Sequence, residues 1–212
     1  MTQVLAKGQE PKAKSVLMRL FAALDVDDSI RDRIARFLDG VRGFAPDIRW
    51  VRPESLHVTL KFIGERTHED IEKIKRELGT IEAGTFELNF HGYGFFPGTR
   101  SPRVFWIGVD AGPRLAALAK TVDGKLASLD IPKEEHAFNP HLTLARGAGG
   151  SGAPRRQTGD HPNSNFHRLQ EKLAALPAPE FGTMTTRDFF LYRSQPSPGG
   201  SKYTRLAGFA LR

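Results

Sequence analysis

The 212 residues include no cysteine. That absence removes disulfide scaffolds, thiolate zinc sites, iron–sulfur clusters and cysteine nucleophiles together, and points to a reducing compartment. Long hydrophobic runs are missing too. The one stretch that imitates a signal peptide, Lys12 to Leu24, is split by Arg19 and followed at once by Asp25, so it reads as a strand. Nothing approaches the roughly 18 apolar residues that span a bilayer, so the expectation is a cytoplasmic protein with no membrane partner. Acidic residues are in deficit, 24 against 31 Lys plus Arg, and the formal net charge of +7 favours anionic partners such as RNA, DNA or nucleotides. What remains is ordinary globular material, 39% apolar and 26% charged with 15 Phe, enough for one domain or two half-sized lobes.

Residues 1–14 carry Lys7, Lys12 and Lys14 among small and polar neighbours without periodicity, and read as a mobile extension ahead of a single domain spanning 15–212. Val16 to Leu24 is β-like, and Ile30, Ile34, Phe37, Leu38 and Val41 recur at helical spacing. Ile48 to Val51 predicts a short strand and Leu56 to Ile63 a longer one. Ile71, Ile74, Leu78 and Ile81 predict a second helix behind Thr67 and Asp70, a capping-box pair. Phe86, Leu88 and Phe90 alternate as a strand. The order then begins again: strand Val104 to Val109, a helix opened by Pro113, strand His141 to Arg146, a helix carrying Phe166, Leu169, Leu173 and Leu176, and strands at Thr185 to Arg193 and Tyr203 to Leu211. A Gly-, Pro- and Arg-rich stretch over 147–163 predicts a mobile loop. The repeated order predicts an α+β fold: two duplicated strand-helix-strand-helix-strand lobes about a pseudo-twofold central cleft.

Each half carries one tetrapeptide in the same place, His57-Val58-Thr59-Leu60 and His141-Leu142-Thr143-Leu144. On a strand, side chains at i and i+2 share a face about 6.5 Å apart, so His and Thr face one way while the apolar residues build the core. One such His reads as an ordinary strand histidine. Two at matching positions point to a shared cleft with one His and one Thr from each lobe. Imidazole exchanges protons near neutral pH, so one His serves as base and the other as acid on a phosphodiester, with the Thr hydroxyls donating to nonbridging oxygens. This scheme needs no metal or other cofactor. No His-x-His or His-Glu-x-x-His pattern supplies metal ligands. The remaining histidines, His68, His91, His136, His161 and His167, read as structural or solvent-exposed.

Several stretches resemble the bacterial and archaeal RNA 2′,3′-cyclic phosphodiesterases, the 2′-5′ RNA ligase branch of the 2H phosphoesterase superfamily. They are Met18 to Leu24, Arg49-Trp50-Val51-Arg52-Pro53-Glu54-Ser55-Leu56-His57-Val58-Thr59-Leu60-Lys61-Phe62-Ile63-Gly64-Glu65, Pro140 to Arg146, and Gly200 to Leu211. The resemblance implies the two-lobed fold and metal- and ATP-independent hydrolysis of RNA 2′,3′-cyclic phosphate ends, tRNA fragments among them, to 2′-phosphate ends. Reversible 2′-5′ ligation is also known in the family. His57 matches the position of the proton donor, His141 that of the proton acceptor, and Thr59 and Thr143 the phosphate-binding threonines. Arg146 resembles a phosphate-contacting arginine, Phe62 a ring offered to the base, and Tyr203 a tyrosine near the cleft. Strict alternation puts Arg146 and Phe62, each five residues after its His, on the core face, so both need a twist, bulge or strand end before them. The protein is expected to act as a monomer. Alternatives left open by the residues are a 2H enzyme for 2′-5′-linked oligonucleotides or small cyclic nucleotides, and a noncatalytic RNA-binding module.

Overall fold

Apolar alternation and helical spacing resolve into nine strands and four helices among the residues that the computed structural model describes, 16–147, 164–197 and 200–212. The extension expected over 1–14 and all of the 147–163 loop except Gly147 lie outside the described residues. In chain order the elements are β1 (Met18–Asp25), α1 (Asp28–Val41), β2 (Arg49–Trp50), β3 (His57–Arg66), α2 (His68–Gly79), β4 (Phe86–Phe96) and β5 (Val104–Asp110). They continue with α3 (Pro113–Ala127), β6 (His141–Arg146), α4 (Ser164–Ala174), β7 (Glu180–Thr186), β8 (Asp188–Ser197) and β9 (Gly200–Ala210). The capping box of α2 is complete: the Asp70 N–H donates to Thr67 Oγ1 at 3.2 Å and the Thr67 N–H to Asp70 Oδ2 at 3.1 Å. Ile71, Ile74 and Leu78 form the buried stripe of that helix.

The strands lie in the order β7-β4-β5-β6-β3-β1-β8-β9, with β2 also against β6. Two groups of four meet at one antiparallel register pair, Val58 opposite Leu142. Beyond it β3 leaves the edge of β6, and β2 takes that edge over through Arg49 opposite Arg146 and Trp50 opposite Ala145. The sheet therefore opens into two lobes about the β3–β6 seam, as the repeated order predicts.

Each lobe takes strands from both halves of the chain. β4 closes the first repeat but pairs with β5 of the second, whereas β8 of the second repeat pairs with β1 of the first. The segment read as one strand from Thr185 breaks at Arg187 for this reason: β7 belongs beside β4 in one lobe, and β8 beside β1 in the other. Helices exchange similarly, α1 packing on β7 and α3 on β3. The large fully buried side chains Phe90, Phe105, Phe166 and Phe189 come from four different elements. Burying each contributes roughly 1.5–3 kcal/mol.

A duplicated irregularity decides which side chains reach the seam. Thr59 stands opposite Ala23 and Lys61 opposite Ala22, so Leu60 is an extra residue in β3. In β6 Thr143 stands opposite Trp106 and Ala145 opposite Phe105, so Leu144 is extra in the same way. Both bulges fall three residues after the histidine and reverse the facing of the residues next beyond, in β3 as far as Phe62, where a second register shift at Ile63 follows. Leu60 and Lys61 are consecutively buried, as are Leu144 and Ala145, and Phe62 and Arg146 turn to the side of His57 and His141. Lys61 points into the core, where its Nζ meets Asp123 Oδ1 of α3 at 2.6 Å and donates to the Pro132 carbonyl at 2.7 Å.

Candidate active site

The Val58–Leu142 pair aligns the two tetrapeptides head to tail. Extended by one residue each way, the antiparallel register sets His57 beside Thr143 and Thr59 beside His141, each histidine next to the other lobe's threonine. All four are half-buried, while Val58, Leu60, Leu142 and Leu144 pack in the core.

The imidazoles are held identically. His57 Nδ1–H donates to the Ser55 carbonyl and His141 Nδ1–H to the Asn139 carbonyl, both at 2.8 Å and both two residues upstream. A carbonyl only accepts, so Nδ1 carries the proton, and Nε2 of each neutral ring remains for chemistry. Aromatic rings enclose both. Phe21 lies 4.8 Å and Tyr203 5.0 Å from the His57 ring, and Phe96 lies 5.0 Å and Trp106 6.2 Å from His141. Trp106 stacks on Phe96 at 4.9 Å and needs glycine beside it, because a Cβ at Gly94 would fall 2.2 Å from its Cζ2.

Burial among these rings pushes the His57 pKa down to about 4. The Ser55 carbonyl and Asp25 oppose that fall, while Arg146 and His141 add to it. His141 is also lowered, by burial first and then by Arg146, against the Asn139 carbonyl. The pseudo-symmetry fails at one telling place. Asp25 stands opposite His57 on β1, but Gly108 occupies the corresponding place opposite His141 on β5. The Asp25 carboxylate accepts from the Tyr192 hydroxyl and the Arg205 guanidinium of the C-terminal hairpin, and Arg205 lies over the Phe190 ring at 3.8 Å. Burial first, and then the bond to Asp25, raise Tyr192 to about 12.

Arg146 is half-buried near Arg49, Arg19 and Tyr203, and forms no ion pair with a carboxylate among the described residues. Burial works against its charge, but a guanidinium stays cationic, so an anion is its natural complement. Phe62 is 55% exposed, its ring 6.4 Å from Phe21. Tyr203 packs edge-on against His57 and so belongs to the cleft. The structure thus gathers His57, Thr59, His141, Thr143, Arg146, Phe62 and Tyr203 on one face. Sequence reasoning missed Phe21, Asp25, Phe96 and Trp106. Only the signal that Phe21 and Asp25 share a face of β1 was available for them. His68, His136 and His167 are exposed, His167 within 3.6 Å of Glu171, and His91 is half-buried on β4. His161 lies outside the described residues. No helix among the described residues is long and apolar enough to cross a membrane.

Two interleaved lobes each bring one His-x-Thr strand to a common seam, beside an arginine without an ion pair among the described residues, an arrangement that suits a phosphoesterase. The family model for LigT-like phosphoesterases matches the chain twice in succession, over residues 24–106 and 107–203, and the chain belongs to that family of 2H hydrolases. The double match agrees with the internal repeat. Among relatives, the RNA 2′,3′-cyclic phosphodiesterase of Archaeoglobus fulgidus is 35% identical, over 91% of this chain and 99% of its own. That of Methanothermobacter thermautotrophicus is 31% identical, over 92% and 99%. Among solved structures, E. coli LigT complexed with 3′-AMP superimposes with a TM-score of 0.71 at 28% identity, covering 92% of this chain and 99% of that one.

Proposed function

We propose that this protein hydrolyses the 2′,3′-cyclic phosphate end of RNA to a 2′-phosphate end, without metal or ATP. The observation that carries the reading is a pair of imidazoles with Nδ1 committed to backbone carbonyls and Nε2 left for chemistry, both within electrostatic reach of Arg146, which has no ion pair among the described residues. The names of the relatives support an RNA cyclic phosphate as substrate, and the 3′-AMP complex of E. coli LigT supports a nucleotide in the cleft.

In this reading Arg146 and the hydroxyls of Thr59 and Thr143 hold the nonbridging oxygens. His141 Nε2 takes a proton from water as the water oxygen bonds to phosphorus. The bond from phosphorus to the 3′ oxygen breaks in line, and His57 Nε2–H protonates that oxygen. The phosphate stays on the 2′ oxygen, and the net reactant consumed is one water. His57 holds its proton poorly in the free enzyme, and the negative charge of bound substrate raises its pKa into a useful range. If the 5′-hydroxyl of a second RNA replaces water, the same bond changes leave a 2′-5′ linkage, which is the ligation expected of this family.

Substituting either histidine tests the scheme. His57→Ala and His141→Ala should each lower turnover of a cyclic-phosphate RNA by about 10²- to 10⁴-fold, with an unchanged circular dichroism spectrum. Near-native turnover by either variant overturns it.

A further inference from the structure

We propose that the cavity beside His57 is a subsite for the nucleotide preceding the cyclic phosphate, with Arg52 and Lys202 holding the phosphate that joins the two. The proposal rests on the RNA-end reading above, and narrows its substrate class from any 2′,3′-cyclic nucleotide to an oligonucleotide end.

The cavity measures about 620 Å³. Ligand pockets for molecules of nucleotide size run to roughly 300–1,000 Å³. It opens from His57, Phe21 and Tyr203, but Thr59, Thr143, His141 and Arg146 are not part of its lining. Its space is therefore additional to what the cyclic phosphate occupies. In the mechanism His57 faces the departing 3′ oxygen, so the terminal ribose lies on the His57 side, and the RNA strand leaves that ribose through its 5′ carbon on the same side.

The charges in the cavity are not equivalent. Arg205 is committed to Asp25. Arg31 spends Nη1 on the Pro53 carbonyl at 3.1 Å and Nη2 on the Val26 carbonyl at 2.7 Å, which fixes the wall. Arg52 and Lys202 remain, both exposed and without an ion pair among the described residues. They come from different elements. Arg52 precedes the turn Pro53–Ser55 whose last carbonyl pins His57, and Lys202 adjoins Tyr203 on β9. Glu54 is exposed and contributes the one carboxylate of the lining besides Asp25, so the uncommitted charge is cationic on balance. Two uncommitted cations lining one cavity suit a phosphodiester, and a nucleoside 2′,3′-cyclic phosphate has no second phosphate to offer.

The test compares kcat/KM for adenosine 2′,3′-cyclic phosphate with that for the dinucleotide ApA ending in 2′,3′-cyclic phosphate, in the wild type, Arg52→Ala, Lys202→Ala and the double variant. One charge-assisted contact is worth about tenfold or more, so the wild type should favour the dinucleotide by at least about tenfold. The double variant should lose that preference while changing mononucleotide turnover less than about twofold. Equal wild-type values, or an undiminished preference in the double variant, overturn the subsite. Calorimetric affinities for 2′-AMP and for ApA bearing a terminal 2′-phosphate make the same comparison without turnover. A dinucleotide preference in binding that depends on Arg52 and Lys202, with neither cyclic substrate hydrolysed, would sink the RNA-end reading and leave the subsite standing. Equal affinities would sink the subsite whatever the turnover.

Discussion

Replacing Arg146 by Gln should move the pH profile of the enzyme toward alkali while weakening it. In the free enzyme, burial and Arg146 hold both imidazoles below their ordinary value of 6.5, His57 at about 4. At pH 7 only about one His57 in a thousand is protonated. The reaction needs one proton shared by the pair, so kcat/KM should be bell-shaped in pH, its limbs belonging to the coupled pair and not to either residue alone. With both groups lowered, the maximum falls below pH 6.5, and kcat/KM declines about tenfold per pH unit above it. Bound substrate raises both groups, so the kcat profile should lie at higher pH than that of kcat/KM. Arg146→Gln removes a cation that lowers both histidines, and the descending limb should shift upward. The lost phosphate contact should lower the peak kcat/KM by about 10- to 150-fold, from roughly 1.5–3 kcal/mol for a charged hydrogen bond. The assay is initial-rate hydrolysis from pH 4 to 9 at constant ionic strength. A kcat/KM maximum above pH 7 in the wild type, or an unshifted limb in Arg146→Gln, refutes this account of the site.

Stability should carry the same signature. Unfolded His57 titrates near 6.5 but folded His57 near 4, so the unfolded chain binds the extra proton between those values, and stability falls as pH drops through that window. His57→Asn should be spared about 3 kcal/mol of the loss between pH 7 and pH 4, read from paired urea titrations. Phe62→Ala should change stability by less than about 0.5 kcal/mol, since the ring is 55% exposed. If the ring stacks on a base, the same change should raise KM by about 5- to 150-fold, from roughly 1–3 kcal/mol of base stacking. Asp123→Ala leaves the buried Lys61 ammonium with only the Pro132 carbonyl, and should destabilise by about 3–5 kcal/mol in denaturant titration. Lys61→Met in that background should recover much of the loss.

The paired tetrapeptides were legible because a two-residue period and a repeated order are local signals. The same holds for α2, whose cap and apolar stripe lie within fifteen residues of chain. The exchange of β4 and β8 between lobes left no such trace, since strand partners are chosen across the whole chain by packing. The bulges at Leu60 and Leu144 were anticipated only as one of three ways, a twist, a bulge or a strand end, to bring Phe62 and Arg146 round. Both bulged residues are ordinary leucines, and an extra residue shows only against a partner strand, here Ala22 and Ala23 for one and Phe105 and Trp106 for the other. For that reason Phe62 and Arg146 conflicted with simple alternation. Lys61 was unreadable for a related cause, because its burial depends on an Asp 62 positions away in α3. Of the rings around His57 and His141, Tyr203 on β9 was anticipated by the resemblance, whereas Phe21, Phe96 and Trp106 come from β1, β4 and β5 and awaited the sheet order.

The most direct measurement is a phosphorus NMR time course of a short RNA ending in 2′,3′-cyclic phosphate, mixed with the protein in excess EDTA and without ATP. The account predicts that the cyclic phosphate resonance is replaced by a 2′-phosphomonoester alone. A 3′-phosphomonoester product would reverse the assignment of the leaving oxygen, and an unchanged cyclic phosphate would contradict the proposed activity itself.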